Sequence, residues 1–131
     1  VSVRAAAVAG CLAAAVLLDA APAPGSERGA PPPTRIGVRG DEFDLTLSRT
    51  RVVPGPAVIQ FQNSGEDPHD LKVKRVGSAS EIGTGELGPG DVQNLPQMRL
   101  RRASSYRLWC SLENHASYGM EATLRVKRRR R

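Results

Sequence analysis

The chain has 131 residues, 40% of them hydrophobic and only 4% aromatic, and a net charge of +6. These values suit one globular domain with a short leading segment and exclude a membrane-embedded or disordered protein. Arg125, Lys127 and Arg128 to Arg131 account for all of the excess charge. The body is left near neutrality with acids and bases interspersed along the sequence, and this argues against a nucleic-acid-binding domain, which needs a basic stripe on folded structure.

Arg4 is followed by an apolar run from Ala5 to Leu18, closed by Asp19. Such a run is short for crossing a bilayer but suits the hydrophobic part of an export signal. Residues 1–20 are therefore expected to be a signal peptide, and the protein to be exported: periplasmic, at the cell surface or secreted. Arg far outnumbers Lys, as GC-rich bacterial genes encode. Val8-Ala9-Gly10-Cys11 also has the look of a lipid-attachment box, although the apolar run continues past Cys11; an uncleaved anchor is the remaining alternative. Ala21 to Pro33 contains five prolines in thirteen residues, and residues 21–34 are expected to form a semi-extended linker.

From Arg35 the hydrophobic period is two. Phe43, Leu45 and Leu47 alternate with polar neighbours, as do Ile59 and Phe61, Leu71 and Val73, then Tyr106, Leu108 and Cys110. Arg107 and Trp109 take the opposite face, and Ala122, Leu124 and Val126 close the pattern. Turn signals separate these runs at Pro54-Gly55-Pro56, Asn63-Ser64-Gly65, Gly83 to Gly85 and Gly88-Pro89-Gly90. The pattern predicts an all-β Greek-key sandwich of seven to eight strands over residues 35–127, with a helical turn near Ser78 to Ile82. Residues 128–131 form a basic tail, solvated or drawn to an acidic partner or a membrane surface.

Cysteine placement gives the first chemical clue. If Cys11 leaves with the signal, Cys110 is the single thiol of a protein in an oxidising compartment, without a disulfide partner. It lies in the segment YRLWCSLENHASYGMEATLRV, where Cys110, His115 and Met120 are spaced C-x4-H-x4-M between two predicted strands. The segment FQNSGEDPHDLKV supplies His69, and the sequence contains no third histidine. A thiolate, two imidazoles and a weak axial thioether make the donor set of a mononuclear type 1 copper site. Singly, a loop histidine, a buried cysteine or a methionine at a strand start more often has a packing role. Their order, spacing and β context together point to one copper ion.

These segments resemble the plastocyanin, azurin and pseudoazurin group of cupredoxins. Phe61, Asn63, Gly65 and His69 match its F-x-N-x-G pattern followed by histidine. Tyr106, Cys110, His115 and Gly119-Met120 match its second pattern, and the likeness spans roughly residues 36–127. The resemblance implies an electron carrier cycling between Cu(I) and Cu(II), with redox partner proteins; a monomer is expected, and catalysis is not, because both histidines are taken up by this one site and none remains for a further copper or to activate Cys110. It also implies that Asp70, where the family commonly has Asn, pairs with Ser111. Pro68 rigidifies the approach to His69, and Gly119 supplies a positive φ before Met120. His115 becomes the electron port, within a patch formed by Leu112, Ala116 and Tyr118, with Trp109 either a second relay or a packing residue. A protein that stores, delivers or senses copper is the alternative that the donor set alone leaves open.

Overall fold

Alternation of apolar and polar side chains becomes strand pairing almost everywhere in the computed structural model, which describes residues 29–128. The signal peptide, Cys11, most of the linker and Arg129 to Arg131 lie outside the described residues. The elements are β1 (Thr34–Asp41), β2 (Asp44–Leu47), β3 (Arg51–Val52), β4 (Gly55–Asn63), β5 (Lys72–Arg75), β6 (Glu81–Gly83), β7 (Val92–Asn94), β8 (Met98–Leu100), β9 (Ser105–Trp109) and β10 (Glu121–Val126). A single 3-10 turn covers Ala116–Tyr118. Among the described residues no helix is long and apolar enough to cross a membrane.

Two five-stranded sheets face each other. The first runs β2-β1-β4-β7, with β8 also pairing with β4; the second runs β3-β10-β9-β5-β6. β1 lies parallel to β4, and β3 parallel to β10, whereas the other strand pairs are antiparallel. The sandwich is the expected one, built from ten short strands rather than seven or eight longer ones. One reason is visible at Pro96: β7 and β8 follow each other along the same side of β4, interrupted where proline has no N–H to donate.

Period-two burial fills the space between the sheets. Ala57, Ile59, Phe61 and Asn63 of β4 point inward, as do Tyr106, Leu108 and Cys110 along and just beyond β9, and Leu124 and Val126 of β10. The Tyr106 hydroxyl accepts a hydrogen bond from the Arg101 amide at 3.0 Å, pinning the chain before β9. Three local expectations change. Ser78 to Ser80 are not helical, and β6 begins at Glu81. Gly55 and Pro56 belong to β4 rather than to a turn. Phe43 does not continue the inward face of β2: it sits in the β1–β2 turn at φ 59° and is 36% exposed.

Charges that alternate in sequence separate in space, contrary to the interspersed body expected. Strand registers place Asp41 opposite Asp44, Gly40 opposite Asn63 and Glu121 opposite Trp109. One end of the sandwich thus collects the β1–β2 turn, the Asn63–His69 connection and the Cys110–Met120 loop, with Glu42, Glu66, Asp67, Asp70 and Glu113 among their acids. At the other end Gly55 pairs with Leu100, Arg125 with Ser105 and Arg125 with Arg51. That end carries Arg51, Arg99, Arg101, Arg102, Arg125, Lys127 and Arg128.

Candidate metal centre

His69 enters the site from the first ligand segment, where backbone bonds leave it little freedom. It forms an isolated antiparallel bridge with Leu87: His69 N donates to Leu87 O at 3.0 Å, and Leu87 N donates to His69 O at 2.8 Å. Asn63, fully buried, donates from its amide to Asp67 O at 2.8 Å and to Leu87 O at 2.9 Å, and accepts from Gly65 N at 2.9 Å. Thr84 is buried on the far side, its hydroxyl accepting from Leu71 N at 3.0 Å. Pro68, exposed, precedes the bridge.

The second segment closes largely on itself. Cys110 N donates to Met120 O, and Met120 N donates to His115 O, both at 3.1 Å. Tyr118 N and Gly119 N reach back to His115 O and Ala116 O around the 3-10 turn. Gly119 then reverses the chain at φ 114°, a left-handed conformation that favours glycine. Met120 follows it, fully buried at the head of β10. Its methyl carbon approaches β1: a Cβ on Gly40 would lie 3.0 Å from Met120 Cε and 2.8 Å from two Phe61 ring carbons.

The donors converge. His69 Nδ1 and His115 Nδ1 are 3.2 Å apart, Cys110 Sγ lies 3.6 Å from His115 Nδ1, and one donor atom from each residue falls within 4.8 Å of the others. Two nitrogens bound to one transition-metal ion at about 2 Å stand about 3.3 Å apart at a near-tetrahedral angle. His69 and Cys110 are buried and His115 half-buried. Burial pushes the Cys110 thiol above its ordinary value, aided by the nearby Asp70 charge against the pull of backbone N–H donors. The metal-free thiol therefore keeps its proton through neutral pH, and an incoming ion takes the proton's place. Soft sulfur beside two imidazoles fits copper.

Asp70 and Ser111 tie the two segments together. Ser111 N donates to Asp70 Oδ1 at 2.6 Å and Ser111 Oγ donates to Oδ2 at 2.5 Å. Asp70 is buried, and Lys72 Nζ lies 3.6 Å from Oδ2, partly compensating its charge.

Two residues that sequence reasoning missed complete the surroundings, both from the β1–β2 turn. Glu42 Oε1 accepts from the amides of Glu66, at 2.5 Å, and Asp67, at 3.1 Å, and lies 3.6 Å from His69 Nε2. Those backbone donors hold its carboxyl below the ordinary carboxylate range. His69 Nε2 is itself buried without a hydrogen-bond partner, so the carboxylate faces an orphaned nitrogen. A Cβ on Gly65 would come within 2.2 Å of Glu42 Oε1, which explains the glycine. Phe43 stands edge-on to His115 and to Tyr118, with ring centroids 5.1 Å and 5.0 Å apart. No local spacing announces either contact, since each joins residues far apart in sequence.

On the expected surface patch, Tyr118 is 63% exposed, while Leu112 and Ala116 are half-buried beside half-buried His115. Phe43 enlarges that patch. Trp109 faces outward on the second sheet, half-buried, with the Arg107 guanidinium 4.8 Å above its ring. Arg107 is held there by hydrogen bonds to Glu121 of 3.0 and 2.8 Å.

The fold is a cupredoxin-like sandwich, and at one end of it His69, Cys110 and His115 are gathered closely enough to hold one metal ion. No family model matches the sequence and no curated protein matches it; the likeness lies in the fold. An azurin from Methylomonas sp. strain J superimposes over 72% of this chain and 98% of its own, with a TM-score of 0.56 and 15% identity. Auracyanin A, a "blue" copper protein from Chloroflexus aurantiacus, superimposes over 73% of this chain and 100% of its own, with a TM-score of 0.56 and 14% identity. A copper-containing nitrite reductase from Thermus scotoductus SA-01 covers 76% of this chain but only 32% of its own, with a TM-score of 0.52 and 18% identity.

Proposed function

We propose that this protein is an electron carrier working outside the cytoplasm, in which His69 Nδ1, Cys110 Sγ and His115 Nδ1 would hold one copper ion and the Met120 thioether would be a further, weaker donor. The observation that carries the reading is the convergence of these three donors at one end of a β-sandwich. The ion supplies a one-electron couple, Cu(I)/Cu(II), when bound. Thiolate and thioether favour the reduced state and imidazole suits both, so the set is a compromise between them.

The chain's own part is to keep the donors still. The His69 bridge, the Asp70–Ser111 clasp and the closed Cys110–Met120 loop fix the ligand segments from three directions. Glu42 faces the fourth side: its carboxylate, 3.6 Å from Nε2, electrostatically favours the tautomer with the proton on Nε2 and Nδ1 free for the metal. Small rearrangement between oxidation states makes transfer fast. His115, half-exposed among Phe43, Ala116 and Tyr118, offers the shortest way in and out for the electron. Trp109 lies under a cation on another face and is a weaker port.

Catalysis has little support. The two histidines of the sequence are both in this cluster, and among the described residues no second group of metal-binding side chains accompanies it. The resemblance to a nitrite reductase extends over a minor part of that enzyme. Export is supported by the apolar run Ala5–Leu18 and, once Cys11 leaves with it, by the single thiol of Cys110.

The test is the visible spectrum of the protein loaded with Cu(II), followed through reduction and reoxidation. A strong thiolate-to-copper band that vanishes and returns is expected. Tight Cu(I) binding with no coloured oxidised form would instead favour copper delivery.

A further inference from the structure

The proposed copper function leaves the other end of the sandwich unexplained. Arg99, Arg101, Arg102, Lys127 and Arg128 line one surface concavity there, together with Val53, Pro54 and Pro56. All five cations are exposed. None forms a salt bridge among the described residues, although Arg39 and Arg107 elsewhere both do. Arg51 and Arg125, paired in register, continue the cluster at the adjoining edge. Unpaired like charges gathered at one end of a folded sandwich repel one another, which the fold itself does not require.

We propose that this cationic end docks on an anionic lipid surface, so that the copper end faces away from the membrane. Charge complementarity is the first support. The cations are nearly all arginines, whose guanidinium fork matches a phosphate oxygen pair. Val53, 56% exposed in their midst, offers an apolar contact at the level of the headgroups. The second support is connectivity. The chain enters the sandwich at this same end, through Pro31 and Pro33 into β1, and the sequence before that entry carries the apolar run Ala5–Leu18. Exposed aromatics suited to stacking on nucleobases are missing from this end: Phe43 and Tyr118 belong to the other.

The inference does not depend on copper and is tested on the full chain without it. Sedimentation is measured with vesicles of phosphatidylcholine alone and of phosphatidylcholine mixed with phosphatidylglycerol, at low and at high salt. Binding to the anionic vesicles is expected, falling as salt rises. The triple variant Arg99→Gln/Arg101→Gln/Arg102→Gln should bind roughly a hundredfold more weakly, about fivefold for each cation removed near an anionic surface. The control Asp41→Asn/Asp44→Asn, at the opposite end, should bind as the parent does. In the bound state acrylamide should still quench Trp109, the only tryptophan of the sequence, which lies at the copper end. Circular dichroism and melting of the triple variant verify that it folds; if it does not, single Arg→Gln variants take its place. Equal binding to both vesicle types would overturn the inference in favour of apolar insertion alone. Undiminished binding by the folded variant, or a preference for polyglutamate or duplex DNA over anionic vesicles, would also overturn it.

Discussion

The two ligand segments are stabilised in opposite ways. His69 is held by distant parts of the chain: Leu87 across the bridge, Asn63 beneath it and Glu42 behind its ring. The loop from Cys110 to Met120 is held mostly by itself, through short-range bonds among Cys110, His115, Tyr118 and Met120. One donor is thus anchored in the scaffold, and the others arrive on a self-bracing unit. The loop should tolerate changes in the scaffold better than His69 does.

The strongest way to break this division is at the sulfur, which either unit needs for the metal. Cys110→Ser should abolish the visible charge-transfer band of the Cu(II) form while the circular dichroism of the sandwich persists. Asn63→Ala should come next. It leaves Asp67 O and Gly65 N without their partner and Leu87 O with His69 N alone, at a cost of about 3 kcal/mol. Thermal unfolding reads that cost, and hydrogen exchange reads its location. The His69 and Leu87 amides should lose protection, whereas Tyr118 and Met120 keep theirs; uniform loss would contradict the division.

Glu42→Gln sharpens the comparison from the metal's side. Removing a negative charge beside His69 disfavours Cu(II), so the reduction potential should rise by about 60 mV if Cu(I) gains tenfold. Voltammetry reads the shift, and Gly65→Ala, by unseating the same carboxylate, should move it in the same direction. A lowered potential in both would remove Glu42 from its assigned role. The smallest effect belongs to the clasp between the segments. Ser111→Ala loses the hydroxyl bond to Asp70 but keeps the backbone one, and should cost about 0.5–1 kcal/mol in chemical unfolding.

Legibility in the sequence followed the same division. The C-x4-H-x4-M loop could be read directly because its donors are local, and the period-two runs gave the sandwich. Strand number was harder, since pieces of two or three residues such as β3 and β7 carry too little alternation to count. Phe43 misled because it extends the Leu45, Leu47 alternation by one step while the backbone turns before it. Glu42 gave no signal at all: its partners Glu66 and Asp67 lie across a parallel strand connection. The charge separation was likewise hidden, because neighbouring loops in the sequence fall at alternate ends of the sandwich.

Gly40 shows how far tuning can reach from a ligand. Only a missing side chain on β1 leaves room for the thioether methyl of the opposite sheet. Over evolutionary time, relatives that enlarged residue 40 would have had to move Met120, the proposed fourth donor, changing the hue and driving force of the centre with the ligand residues themselves retained. Comparing residue 40 across homologues would therefore track redox adaptation that an inventory of ligands overlooks.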